Sequence, residues 1–223
     1  MSNKKQKNIA IIDYGVGNLH SLCKAFEHLG ANVFITEDAD KILSADAVVL
    51  PGVGAFKSGM EGLEVRGLIK TVKNFADTGK PMLGICLGAQ LMLSRGYEFG
   101  EFTGLGIIPG KVIHFPKLSK ARVPHIGWNE IYCERAKGKE QRAKVSRWEN
   151  TILDSIKEHS DVYFVHSYVL QPDKKEDILS MTEYGNHKFC STVKKDRVYG
   201  CQFHPEKSGE VGLKIIENFI KII

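Results

Sequence analysis

No Cys-x-x-Cys pair occurs among the five cysteines of this 223-residue sequence. Widely spaced and odd in number, they offer neither a structural zinc site nor a complete disulfide framework. That predicts a reduced, cytoplasmic protein with at least one thiol free to react. No apolar run is long enough to span a bilayer. Lys7 leads straight into a short apolar strand with no small-residue cleavage site, so a signal peptide is not expected either. A basic stripe is also missing: the net charge is only +5 and the lysines are scattered, which argues against nucleic acid as a partner. The basic run from Asn3 to Lys7 reads as a solvated tail (residues 1–7). Hydrophobic residues make up 43%, a globular value that excludes a disordered chain. The length suits one domain, expected to span 1–223, although length alone allows two.

Asn8 to Asp13 is a short apolar run ending at Gly15. After it, Leu19, Leu22, Cys23, Phe26 and Leu29 share one face of a helix that stops at Gly30. Asn32–Ile35, Ala47–Leu50 and Pro81–Ile85 read as strands, Leu68–Phe75 as a helix closed by Gly79, and Ala89–Leu93 as the start of another. Strands alternating with helices imply a parallel sheet covered on both faces. The second half is strand-rich: Ile107–Phe115, Trp128–Cys133, Val162–Leu170, Ile178–Tyr184, Lys188–Val193 and Val198–Phe203, before an amphipathic helix over Val211–Ile222. The expected fold is α/β, a single mixed, largely parallel sheet flanked by helices with added antiparallel strands. The charged stretch 134–150 lacks apolar periodicity and reads as an exposed excursion. No repeats occur.

Gly84-Ile85-Cys86-Leu87-Gly88 follows an apolar strand and precedes a helix. That is the setting of a nucleophile elbow, with cysteine in place of serine. The glycines permit a sharp turn and close backbone approach, and the helix N-terminus favours a thiolate at Cys86. By itself the pentapeptide fits a buried structural cysteine equally well. A cysteine nucleophile needs a base and a group to orient the base. Of eight histidines, His204 stands apart, because it ends a late strand and is followed by Pro205 and Glu206. Residues two apart in extended chain point the same way, so Glu206 can hold one ring nitrogen while the other faces a thiol. Two strand ends meeting at the carboxyl edge of one sheet would bring His204 to Cys86. A lone His-Pro-Glu is more often a turn; beside the elbow it reads as catalytic. Pro51-Gly52-Val53-Gly54-Ala55-Phe56 lacks the terminal Gly-Lys-Ser/Thr of a phosphate loop, so nucleotide binding is rejected there. It reads instead as a plain tight turn or as a lining of the Cys86 pocket, with the amides of Val53 and Leu87 as oxyanion donors. Tyr163 to Tyr168 is either an ordinary strand or one that sets polar groups against a polar substrate.

Together, Gly-x-Cys-x-Gly, Pro-Gly-Val-Gly and Gln202-Phe203-His204-Pro205-Glu206 resemble the class I, triad-type glutamine amidotransferases. Ile12 to Leu19, Pro51 to Phe56, Gly84 to Met92, Pro124-His125-Ile126-Gly127-Trp128-Asn129, Tyr163 to Tyr168 and Gln202 to Gly209 are similar to the glutaminase subunits of imidazole glycerol phosphate synthases. This resemblance covers nearly the whole chain. It implies Cys86 as nucleophile, His204 as general base and acid, and Glu206 as the orienting carboxylate. It further implies Gln90 as a glutamine-binding residue, substrate-pocket positions at Gly52, His166, Ser167 and Tyr168, and a partner face near Asn18, Trp128 and Lys207. The implied partner is a (β/α)8-barrel synthase. That subunit uses the ammonia to make imidazole glycerol phosphate and an aminoimidazole carboxamide ribonucleotide, in histidine biosynthesis. The 134–150 stretch is long and charged for this family. Paralogous glutaminases serve sugar amidotransferases in surface-glycan pathways, and the catalytic motifs alone do not separate the two duties.

The implied cycle needs no metal and no organic cofactor. A sealed passage to a docked partner is expected, because ammonia released to bulk water would be protonated and lost. Gln90 and the Gln202-to-Glu206 segment argue against the rival reading of a cysteine peptidase or deglycase. The presence of Cys86, His204 and Glu206 together argues against a catalytically silent regulatory subunit.

Overall fold

The computed structural model describes residues 7–116, 121–134 and 148–223. Most of the expected N-terminal tail and most of the charged excursion therefore lie outside the described residues. The first half alternates strand and helix: β1 (Asn8–Ile12), α1 (Leu19–His28), β2 (Asn32–Thr36), α2 (Ala39–Ser44), β3 (Ala47–Leu50), α3 (Phe56–Val65), α4 (Leu68–Asp77), β4 (Met82–Ile85) and α5 (Leu87–Leu91). Strands then dominate: β5 (Leu93–Gly96), β6 (Phe102–Thr103), β7 (Ile108–His114), β8 (His125–Ile131), β9 (Ser160–His166), β10 (Tyr168–Pro172), β11 (Ile178–Tyr184), β12 (His187–Lys195) and β13 (Val198–Cys201), before α6 (Gly209–Lys221).

The main sheet runs β2-β1-β3-β4-β13-β12-β10-β7-β5-β6, with β11 on β12, and β8 pairs with β9 in a separate two-stranded sheet. Strands β2, β1, β3, β4 and β13 are mutually parallel; β12, β10 and β7 extend them in antiparallel pairs. The mixed α/β sheet expected from the sequence is the one observed.

Period-two alternation sorts the core. On β1, Ile9 and Ile11 belong to one buried cluster, with Leu22 and Phe26 of α1 and Ile215, Ile216 and Phe219 of α6. Ala10 and Ile12 face the other cluster, with Ile42 of α2, Leu63 of α3, Val72 and Phe75 of α4, and Leu91 of α5. Strands buried on both faces need continuous apolar runs, and Ala47 to Leu50 supplies one, fully buried throughout.

Several expectations need correction. Helices α2 and α3 and strands β5 and β6 add to the expected elements, and the strand expected over Trp128–Cys133 runs from His125 to Ile131. Val162–Leu170 is not one strand: β9 ends at His166, Ser167 breaks the run, and β10 joins the main sheet. The Ser167 carbonyl accepts from Phe115 N–H at 3.0 Å at this crossing. The helix expected from Ala89 to Leu93 begins at Leu87 and stops at Leu91, where the chain turns into β5.

Candidate active site

Cys86 sits between β4 and α5 with φ 51° and ψ −107°, a sparsely populated conformation for a non-glycine residue. The surrounding chain determines it. Cys86 N–H donates to the Cys201 carbonyl at 2.7 Å, and the Cys86 carbonyl accepts from Gln90 N–H at 3.1 Å. The flanking glycines are required for space, since a Cβ on Gly88 would overlap the Leu50 carbonyl and one on Gly84 would come within 2.8 Å of Ala89 backbone.

Parallel pairing of β4 with β13 sets Ile85 beside Cys201. The chain leaving β13 thus carries His204 to the elbow, and His204 N–H is anchored on the Tyr163 carbonyl at 2.9 Å. His204 Nδ1 lies 2.8 Å from Glu206 Oε1, both side chains nearly fully buried. Nε2 is buried with no well-formed hydrogen bond, as is Glu206 Oε2. Burial opposes charge on this ring. Hydrogen bonding and charge from Cys86 and Glu206 outweigh that opposition and push its pKa up to about 10. A ring this basic is protonated at neutral pH, so it keeps the proton that a neighbour gives up.

A cleft of about 310 Å³ opens beside Cys86, within the range of small-molecule sites. Val53, Leu87, Gln90, His166, Ser167 and Tyr168 all line it. Gln90 Nε2 donates to the Tyr168 carbonyl at 3.2 Å and to Gln202 Oε1 at 3.1 Å. Three further residues matter that the sequence did not single out. Gln202 sets its Nε2 3.8 Å from Cys86 Sγ. Glu98 lines the cleft, with its Oε2 accepting from Phe56 N–H at 2.6 Å. Tyr14 is fully buried and donates its hydroxyl to the Pro51 carbonyl. Gln202 and Tyr14 lay inside recognised segments, Gln202 to Gly209 and Ile12 to Leu19, without a role of their own; Glu98 lay in none.

The two expected oxyanion donors are not in place. Leu87 N–H donates to the Gly52 carbonyl at 3.3 Å. A trans peptide points its C=O and N–H in opposite directions, so the Val53 N–H turns away from the position beside Leu87. Position 52 needs glycine for space, because a Cβ there would overlap the Tyr14 hydroxyl.

Behind this segment, Asn18, Gly52, His204, Glu206 and Lys207 share a second, smaller cavity of about 10 Å³, room for about one water. Asn18 also caps α1, accepting from Ser21 N–H at 3.3 Å. Trp128 is 56% exposed, packs edge-on against Tyr163, and comes close to Gly209. The three residues expected at a partner face therefore gather around the 204–209 turn. Among the described residues, no group of three or more His, Cys, Asp or Glu is placed to hold a metal ion. Among the described residues, no helix is long and apolar enough to cross a membrane.

His125 and His166 are buried and held neutral: burial pushes them down to about 4 and about 3. An unfolded histidine titrates near 6.5, so below that pH the unfolded chain takes up protons that these folded rings refuse. Stability falls as pH drops from about 6.5 toward 4. His204 has the opposite sign: its contribution is full below about 6.5 and is lost as pH rises through about 10. The urea midpoint should fall between pH 6.5 and pH 5, before most carboxylates titrate; a flat midpoint there contradicts the buried neutral pair.

A family model described as glutamine amidotransferase class-I matches residues 10–223. The chain is 46% identical over 219 residues to imidazole glycerol phosphate synthase subunit HisH 1 of Legionella pneumophila (strain Lens), covering 96% of this chain and 99% of that one. It is 47% identical over 215 residues to subunit HisH of Archaeoglobus fulgidus, covering 96% and 98%. Among solved structures, PurLQS from Thermotoga maritima shares the fold at TM-score 0.68 and 16% identity, covering 97% of this chain and 98% of that chain.

Proposed function

This chain belongs to the class-I glutamine amidotransferases and, within them, to the HisH subunits of imidazole glycerol phosphate synthase, and from that membership we propose that Cys86, His204 and Glu206 are the triad by which it hydrolyses glutamine. It is the glutamine-hydrolysing subunit of an enzyme of histidine biosynthesis. The observation that carries the triad is the His204 ring: Glu206 holds Nδ1 at 2.8 Å, and the ring lies close enough to Cys86 for that cysteine to raise its basicity.

His204 Nε2 has taken the thiol proton before Sγ bonds to the carboxamide carbon of glutamine. The tetrahedral oxyanion is held by the amides of Leu87 and Val53. His204 returns the proton to the nitrogen, the C–N bond breaks, and ammonia leaves. Water then cleaves the glutamyl thioester, releasing glutamate and restoring the thiol. In the cleft, Glu98 supplies a carboxylate suited to the α-ammonium group of the substrate, and Gln90 and the 166–168 backbone orient its polar atoms. Ammonia passes to a (β/α)8-barrel synthase subunit docked on the face bearing Asn18, Trp128 and Lys207, and no metal or organic cofactor takes part. The cytoplasm is the compartment that fits this work.

The Gly52 carbonyl on the Leu87 amide supports a resting state that docking must open. Rotating the Gly52–Val53 peptide frees Leu87 N–H and brings Val53 N–H inward. One missing oxyanion donor typically costs about 10²–10³ in rate. The test is steady-state glutamate release from glutamine, with and without the synthase subunit and its acceptor substrate. The isolated chain should run at least about 10²-fold slower than the complex; equal rates refute the gate. Gly52→Ala should lose most of the stimulation. Because the added methyl meets the Tyr14 hydroxyl, Tyr14→Phe/Gly52→Ala separates packing from peptide rotation. Full stimulation in that double variant would remove Gly52 as the hinge.

A further inference from the structure

A line of hydrogen bonds leaves the glutamine cleft along the small β8–β9 sheet. His125 of β8 and His166 of β9 stand directly opposite one another in the small sheet. They are 41 residues apart in sequence, and His125 Nδ1 lies 3.2 Å from His166 Nε2. His125 is stacked between Tyr184 and Phe164, at centroid distances of 3.9 and 4.8 Å. On its outer side, Asn129 Nδ2 lies 3.4 Å from His125 Nε2 and 2.9 Å from the Glu183 carbonyl. On the inner side, His166 Nδ1 lies 2.8 Å from the Tyr168 carbonyl.

The two ends of this line fix every proton in it. Asn129 Oδ1 accepts from Glu130 N–H at 2.8 Å, so the side of the amide facing His125 is the NH₂ group. An NH₂ group only donates, so His125 Nε2 accepts and its proton sits on Nδ1. A carbonyl only accepts, so His166 carries its proton on Nδ1 and offers Nε2 to His125. The assignments from the two ends agree, and both rings are neutral, as their burial requires. The Tyr168 carbonyl also receives Gln90 Nε2, and Gln90 in turn donates to Gln202, whose own amide reaches Cys86 Sγ. A continuous line thus runs from Asn129, next to the exposed Trp128, to the nucleophile.

We propose that His125 is a positioning residue for glutamine binding: its Nδ1–H sets the His166 ring, which pins the Tyr168 carbonyl and through it the Gln90 amide. The proposal rests on the glutaminase reading of the cleft. Packing alone does not account for a histidine here. A phenylalanine would fill the slot between Tyr184 and Phe164 without burying two polar nitrogens, which cost free energy unless both are hydrogen-bonded. What only the histidine supplies is the donor to His166 together with the acceptor for Asn129.

The test compares two replacements in the assembled enzyme. His125→Phe keeps an aromatic ring and removes the donor. His125→Asn discards the ring but places an N–H near the Nδ1 position. Loss of one buried hydrogen bond should raise the glutamine KM about tenfold in His125→Phe, with kcat changed much less, and His125→Asn should recover most of that loss. A packing role predicts the reverse order, so a wild-type KM in His125→Phe, or a worse KM in His125→Asn than in His125→Phe, overturns the proposal. Should either variant fail to fold, the wild-type protein decides. Nitrogen-15 NMR should find both rings protonated at Nδ1 and unprotonated at Nε2, and a proton on His125 Nε2 overturns the proposal. A wild-type complex that releases no glutamate would instead refute the glutaminase reading, and the NMR proton placement would be untouched by that result.

Discussion

Cys86→Ala should abolish glutamine-dependent product formation by the assembled enzyme while ammonium still supports the synthase half-reaction. In this scheme the Cys86 sulfur is the protein atom that bonds to the substrate carbon and displaces ammonia, ahead of the water that cleaves the thioester. Cys190 and Cys201 are fully buried, and burial pushes both thiols far up from their ordinary range. Cys23 sits on α1 beside Glu27, which also raises it after burial has. Alanine is smaller than cysteine and leaves the Gly84 and Gly88 contacts untouched, so the fold should hold and the partner should dock. Replacing a triad nucleophile costs on the order of 10⁶ in turnover in a serine enzyme built on the same logic. The measurement is paired: glutamate release from glutamine, and synthase product from added ammonium. Glutamate release at the wild-type rate would remove Cys86 from the mechanism. Loss of both activities would point to a broken complex rather than a lost nucleophile.

Glu206→Gln should lower glutaminase turnover by about 10⁴, the size of the analogous change in a serine protease. Glu206 Oε1 accepts from His204 Nδ1–H at 2.8 Å, which fixes the ring with Nε2 toward the thiol and favours the imidazolium that holds the thiol's proton. A glutamine there is nearly isosteric but uncharged, and it can present its NH₂ to Nδ1 and so select the opposite tautomer. Raised His204 basicity depends in part on Glu206, so the variant should also bring the alkaline limb of the stability profile to lower pH. Turnover within threefold of wild type would show that Glu206 does not orient the base.

The site was legible where chemistry is written locally. Gly84 to Gly88 and Gln202 to Glu206 each carry a nucleophile or base with its geometry in a few consecutive residues, and the β4–β13 pairing joins them as two strand ends should. What long-range register decides was not legible. Nothing within Pro124 to Asn129 says that His125 will face His166, because that contact exists only once β8 and β9 align. Helix α3 was hidden for a related reason. Gly59 and Gly62 lower its intrinsic propensity, yet a Cβ at either would crowd Leu91 or the Tyr14 carbonyl, so tertiary packing demands the residues that blur the local signal. Short α2 is declared mainly by its Asp38 cap, whose carboxylate accepts from Asp40 and Lys41 N–H at 3.0 and 3.2 Å. At Gly52 the steric need for glycine was not legible, since nothing before the fold could place the Tyr14 hydroxyl against it.

If the Gly52 carbonyl on the Leu87 amide is the proposed resting cap, surplus copies of this subunit would lie idle. Gene dosage of the two subunits would then need no matching: overproducing this one would leave the glutamine pool intact, and flux would be set by the number of synthase subunits available to relieve the cap. A mutation that lifts the cap without a partner would make copy number toxic, draining nitrogen in proportion to expression.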